Sequence, residues 1–160
     1  MSWEAVIVRA AEELRYLVLA LQRAGNLLLA AELRPLDLTP AQAEVITVLV
    51  GHQPLSLTGL GELLVCETGT SPSRIVDRLV KSGLVAREVH PDDRRHVQLS
   101  LTSQGTELAT KVADVDERLH NAIDDLIGGR DTDSTLTLLR AMTADLPAGR
   151  AVARRRGPHS

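Results

Sequence analysis

The chain has almost no aromatic residues. Trp3 and Tyr16 are the whole set, phenylalanine is absent, and aromatics make up 1% of 160 residues. The core must therefore be built from Leu, Val, Ile and Ala, a palette that favours helices. A single cysteine, Cys66, excludes an intramolecular disulfide framework. No apolar run approaches the roughly 20 residues that a bilayer-spanning helix needs. The N-terminus MSWEAVIVRAAEE carries acids inside its apolar stretch, unlike a secretory leader. A soluble, cytoplasmic protein with no membrane partner is expected. Chemistry-bearing patterns are missing as well. There is no glycine-rich phosphate loop and no nucleophile elbow. The histidines His52, His90, His96, His120 and His159 form no metal-ligand spacing. Neither a catalytic residue, a metal nor a cofactor is expected, and the chain does not read as an enzyme.

What is present is 44% hydrophobic and 24% charged, the balance of a folded globular protein. At this length it forms one modest domain, or one lobe with helical extensions. The net charge of −3 argues by itself weakly against nucleic acid, but the distribution matters more than the sum. Arg74, Arg78, Lys81, Arg87, Arg94 and Arg95 fall between Ser71 and Gln98. The acids Glu107, Asp114, Asp116, Glu117, Asp124 and Asp125 follow later. A locally basic surface on an acidic scaffold suits a protein that grips duplex DNA and sheds non-specific sites easily.

Apolar periodicity gives the layout. Val6, Ala10, Leu14, Leu17, Leu21, Ala24, Leu28 and Ala31 follow steps of three and four, predicting one helix from Trp3 to about Leu33. Gly25 and Asn26 weaken its middle and could bend it. So long a helix finds few partners in a small lobe, which suggests packing on another subunit. Thr39-Pro40-Ala41-Gln42 is a capping box with proline at the first helical position, and the helix it opens stops near Gly51. Leu55 to Leu57 could be a short β-bridge. Thr58 is expected to cap a short helix from Gly59 to about Val65. Ser71-Pro72 starts the next, with Ile75, Val76 and Leu79 facing inward and Gly83 ending it in the left-handed conformation. Leu84–Val89 and His96–Leu101 read as strands joined by a loop from His90 to Arg95. Thr102 or Ser103 caps a helix to about Ile127, with a heptad seam at Leu108, Val112, Val115, Leu119, Ala122 and Leu126. Asp131 or Asp133 caps a last helix stopped by Pro147. Residues 148–160, rich in Gly, Pro and Arg, read as a disordered tail.

The centre of this order is a helix-turn-helix followed by a hairpin. In such a module the second helix lies in the major groove with its N-terminal residues at base edges. Here those residues are Thr70, Ser71, Ser73 and Arg74. Hydroxyls serve base edges and phosphates alike, and arginine takes guanine through two hydrogen bonds. Arg74, Arg78 and Lys81 share one face at i, i+4 and i+7. A lone helix with such a face would be read as merely solvated; the hairpin that follows favours DNA. The tip His90-Pro91-Asp92-Asp93-Arg94-Arg95 offers two adjacent arginines, suited to the negative potential of a narrow minor groove. Asp93 then reads as orienting an arginine, either Arg78 or one in the wing. Cys66 falls in the turn between the two helices and reads as a small hydrophobe. Arg154-Arg155-Arg156 could touch phosphate or simply be solvated.

Leu38-Thr39-Pro40-Ala41-Gln42, Arg74-Ile75-Val76-Asp77-Arg78-Leu79, Gly83-Leu84-Val85, Pro91-Asp92-Asp93-Arg94-Arg95 and Leu101-Thr102-Ser103-Gln104-Gly105 together strongly resemble the MarR family of bacterial transcription regulators. The detailed match runs from about Leu36 to Leu108; the flanking helices agree in pattern only. The family's D-x-R wing signature falls on Asp93 and Arg95, which makes Arg95 the first choice for a minor-groove arginine. The aspartate that usually opens this run is here His90, and an aromatic that many members carry near Ala43 is missing.

The resemblance implies a mainly α fold with a small β-hairpin, a winged helix-turn-helix lobe plus a helical dimerisation lobe. The divisions would be an N-terminal dimerisation helix at 1–35, the DNA-binding domain at 36–102, C-terminal dimerisation helices at 103–147 and the tail at 148–160. It implies a homodimer on a pseudo-palindromic double-stranded DNA operator, most simply a repressor. It also implies a small-molecule effector pocket between the lobes, for which Arg15, Tyr16 and His52 are the polar candidates, although such residues are more often ordinary surface or packing groups. Two rivals remain: a winged helix used only for protein–protein contact, which the Arg74/Arg78/Arg94/Arg95 cluster disfavours, and an enzyme, which no constellation favours.

Overall fold

The computed structural model describes residues 9–65 and 70–157, the side chains of Arg94 and Arg95 excepted. Trp3, Cys66 and His159 lie outside the described residues. The first helix, α1 (Ala10–Leu33), runs unbroken through Gly25 and Asn26, so the expected bend does not interrupt it. Only Leu33 is buried on it, while Leu17, Leu21 and Leu27 are 57%, 68% and 75% exposed. A 3-10 turn (Arg34–Leu36) then leads to Asp37 in the left-handed region, with φ 55°.

The capping box predicted at Thr39 opens α2 (Pro40–His52). The Gln42 amide donates to Thr39 Oγ1 at 3.2 Å, and the Thr39 amide donates to Gln42 Oε1 at 2.9 Å. Strand β1 (Leu55–Ser56) passes directly into α3 (Leu57–Gly61). Its cap is Ser56, whose Oγ accepts from the Gly59 amide at 3.0 Å, and not Thr58. The helix starts two residues early and ends at Gly61, because two glycines leave it little intrinsic helicity to carry it to Val65.

Helix α4 (Pro72–Lys81) ends as expected at Gly83, with φ 73°. There the Gly83 amide reaches Val80 O at 3.0 Å and the Leu84 amide reaches Leu79 O at 2.9 Å, a double closure that needs a left-handed residue. Strands β2 (Val85–His90) and β3 (Asp93–Leu101) form an antiparallel sheet in the order β1-β3-β2.

Helix α5 (Ser103–Ile127) is capped by Thr102 and ended by left-handed Gly128. Its heptad seam is used unevenly. Val112 and Val115 are buried, while Leu126 is 72% exposed. The core gathers Leu33, Ile46, Leu49, Leu60, Leu79, Leu99 and Val112, so it joins α2, α3, α4, the sheet and the first half of α5. Helix α6 (Asp133–Thr143) follows, preceded by Thr132 with no side-chain cap; Asp131 Oδ1 instead accepts from the Asp133 amide at 3.0 Å.

The tail expected to be disordered is helical as far as Arg155. Pro147 does not merely end the preceding helix: it stands at the first position of α7 (Pro147–Arg155), where its missing N–H costs nothing. Gly149 allows α7 to turn back on α6, since a Cβ there would sit 1.9 Å from Thr143 O.

Candidate nucleic-acid interface

Helix α4 is sharply two-faced. Ile75, Val76 and Leu79 are buried, which turns Arg74, Arg78 and Lys81 outward. Among the described residues these three cations have no ion-pair partner. Three unneutralised cations on one exposed helix face leave their donors available to an external anion. At the N-terminus of α4, Ser71 and Ser73 place their hydroxyl oxygens 3.0 Å apart, and Ser71 makes no cap bond of its own. Thr70 is half-buried beside them.

The wing is tied to this helix. Arg87 on β2 pairs with Asp77 on α4. The expected anchor ran the other way, from Arg78 to an acid of the wing. Helical geometry explains the reversal: Asp77 follows the buried Val76 on the flank beside the sheet, while Arg78 faces out. Both partners are about half exposed, so the pair contributes at most about 1 kcal/mol and serves mainly as a positional tie.

The wing tip is tighter than its sequence suggests. Only Pro91 and Asp92 form the turn, and pairing resumes at Asp93 where a loop to Arg95 was expected. Val89 pairs with Val97, but His90 pairs with Asp93, so three extra β3 residues, Arg94, Arg95 and His96, stand in a bulge. Bulges bend a strand and re-aim its side chains. His96 Nδ1 lies 3.1 Å from Asp93 Oδ2, and His90 Nδ1 accepts from the Asp92 amide at 3.2 Å. Whether Asp93 orients an arginine of the wing lies outside the described side chains.

Hydrogen bonds cross-link the base of the module. Thr102 Oγ1 donates to Gly83 O at 2.6 Å and accepts from the Gly105 amide at 3.0 Å. The Thr102 amide donates to Leu84 O at 3.1 Å. One threonine thus joins the end of α4, the end of the wing and the start of α5.

The expected effector residues sit on two helices. Arg15 stacks over Tyr16, 5.0 Å from the ring centroid, on the exposed part of α1, and His52 is at the far end of α2. None of the three lines either of the two clefts that follow. One cleft, of about 480 Å³, is lined by Leu36, Leu38, Gln42, Leu84, Gln104 and Lys111, among others. A second, of about 570 Å³, includes Arg34, Asp37, Arg78 and Lys81. Sequence periodicity cannot show which polar residues meet at a helix junction.

The C-terminal arginines were also placed differently. Arg155 Nε donates to Leu63 O at 2.7 Å, and Arg155 pairs with Glu44. Arg154 Nη1 donates to Glu62 O at 3.3 Å. These side chains hold protein groups rather than forming a solvated tail. Glu44 itself was overlooked. An acid among Ala41, Ala43, Val45 and Ile46, all buried, was the available signal. Among the described residues no three His, Cys, Asp or Glu side chains could hold a metal ion, and no helix is long and apolar enough to cross a membrane.

A two-helix unit with an outward basic second helix, backed by a three-stranded sheet whose hairpin is tied to that helix, is a winged helix-turn-helix. Comparison with known proteins narrows the class. The MarR family model matches residues 38–97. The HTH-type transcriptional regulator FarR of Neisseria gonorrhoeae is 32% identical over 123 residues, spanning 74% of this chain and 80% of its own length. An organic hydroperoxide resistance transcriptional regulator of Bacillus subtilis is 31% identical over 80 residues, half of this chain and 54% of its own. A mutant MarR from E. coli complexed with operator DNA aligns with a TM-score of 0.67 at 29% identity, over 84% of this chain and 94% of that one. The S. aureus MepR–DNA complex, at 19% identity, shares the fold with a TM-score of 0.73 over 82% and 96% of the two chains. The chain belongs to the MarR family of transcriptional regulators.

Proposed function

We propose that this chain is a sequence-specific regulator that binds a pseudo-palindromic DNA operator as a homodimer and acts as a ligand-responsive repressor. The observation that carries the reading is the exposed, unpaired row Arg74, Arg78 and Lys81 on a helix to which the wing is tied through Asp77 and Arg87. The similarity to a regulator described in complex with operator DNA supports it. In this reading Thr70, Ser71, Ser73 and Arg74 meet base edges and flanking phosphates, Arg78 adds a phosphate contact, and Asp93, Arg94 and Arg95 form the minor-groove element. The uncovered apolar stripe of α1 and the exposed end of α5 meet a second copy, which sets two recognition helices about 34–36 Å apart, or a multiple of that. An effector seated between helices releases DNA by preferring a different spacing, to the extent of its differential affinity.

The test is a gel shift on the promoter beside the gene itself, repeated over a salt series. A sequence-preferring complex should form, with log K falling linearly in log salt at about −0.9 per phosphate contacted. Equal affinity for unrelated duplexes, or a flat salt slope, would overturn the reading and favour a winged helix that docks another protein.

A further inference from the structure

The stretch that leads into the recognition helix is held from far away in the chain. Helix α3 has five residues, and its last turn leaves carbonyls without intrahelical partners. Just beyond its end lie the carbonyls of Glu62 and Leu63. They accept from Arg154 and Arg155, 92 residues later in sequence. Two residues on, the Val65 amide donates to Glu44 Oε1 at 2.7 Å. Arg155 pairs with that same Glu44 oxygen. One guanidinium therefore binds both the Leu63 carbonyl and the carboxylate that fixes the Val65 amide. A planar, forked donor can do this, whereas a lysine ammonium, a compact point charge, reproduces it poorly. The Glu44 side chain is 9% exposed and that of Arg155 29%, so this pair is far less solvent-screened than Asp77–Arg87. Helix α7 is in turn fastened to α6 at Gly149, against Thr143.

We propose that Arg155 and Glu44 are positioning residues: they clasp the C-terminal helix to the Leu63–Val65 segment and thereby set how α4 is presented to DNA. The proposal rests on the DNA-binding reading above. It makes α7 a working part of the DNA-binding unit and links the helical C-terminal region to the helix-turn-helix. Arg155 touches no base or phosphate in this role; it acts through the segment it holds.

The experiment uses the full-length protein and the variants Arg155→Met, Arg155→Lys and Glu44→Gln. Affinity is measured for operator and for an unrelated duplex, with amide hydrogen exchange followed along the chain. Arg155→Met is expected to weaken operator binding by about tenfold or more, close to 1.4 kcal/mol. Affinity for the unrelated duplex, the salt slope and the dimer mass should stay unchanged, and exchange should quicken only at residues 62–65 and 70–75 and in α7. Arg155→Lys keeps the charge without the fork, and Glu44→Gln keeps an acceptor for the Val65 amide without the ion pair, so both should fall between. Operator affinity unchanged in all three variants would overturn the proposal. So would an equal loss on both duplexes with a shallower salt slope, which would make Arg155 a phosphate contact. Faster exchange across the whole chain in Arg155→Lys and Glu44→Gln would also overturn it, reducing the pair to general stability. If the unaltered protein binds no duplex, the DNA-binding reading fails by itself, and local exchange at residues 62–65 and in α7 still decides whether the clasp exists.

Discussion

Single residues govern the closest approaches. Gly105 lies on the first turn of α5, and a Cβ there would sit 2.0 Å from Leu84 O. Backbone cannot yield as a flexible side chain would, so Gly105→Ala is expected to cost about 1–3 kcal/mol or more through overpacking. A urea titration with a lowered midpoint and unchanged slope would show it; an unchanged midpoint would mean that the α5 junction is looser than described. Asp116 illustrates electrostatics at the same scale. Burial pushes its carboxyl above the ordinary value of 3.8, while the Thr47 hydroxyl, His120 and Arg155 pull it partly back. A raised native value means that the folded state holds the proton more readily than the unfolded chain. That stabilisation is full below 3.8 and is lost as pH rises through the native value. Asp116→Asn should therefore raise the melting temperature near neutral pH, with the gain shrinking as pH falls through the raised native value and gone below 3.8. A gain that grew on acidification would contradict the sign.

At the scale of elements, α4 and the wing behave as one unit because Asp77 and Arg87 join them and Thr102 ties their bases together. Arg74→Ala is expected to cost about 1–3 kcal/mol of operator affinity and to relax preference at one base position, if Arg74 reads a base. A uniform loss on all duplexes would make it a phosphate contact instead. Arg95→Ala should lower DNA affinity while helicity and dimer mass stay fixed; intact binding would remove the wing from the mechanism. Several of these elements were legible in the sequence because their signals are local. The Thr39–Gln42 box, the Ser71-Pro72 start and the Gly83 stop each involve residues within about one helical turn. The wing bulge was not legible, because register depends on which β2 residue each β3 residue meets. The start of α3 was misplaced for a related reason: Ser56 and Thr58 are both competent caps, and packing of Leu60 into the core selects the first.

At the scale of the whole molecule, α1 is the conspicuous element. Its 24 residues extend about 36 Å at 1.5 Å per residue, yet only Leu33, at its end, is buried. Leu17 and Leu21, four apart on one face, should lie within the dimer seam. Replacing both with Glu is expected to halve the solution mass by light scattering and to weaken operator binding sharply. A variant that remained dimeric would place the seam elsewhere.

Sequence alone was sufficient for the starts of α2 and α4, for the stop at Gly83, for the outward basic face of α4 and for the apolar stripe of α1. Those features follow from capping chemistry and from a 3.6-residue period, which a linear reading contains. Tertiary structure alone decided the wing register and the docking of α7 through Arg155 onto Glu44 and Leu63. These depend on groups brought together from 92 to 111 residues apart in the α7 contacts, where no local periodicity records the pairing.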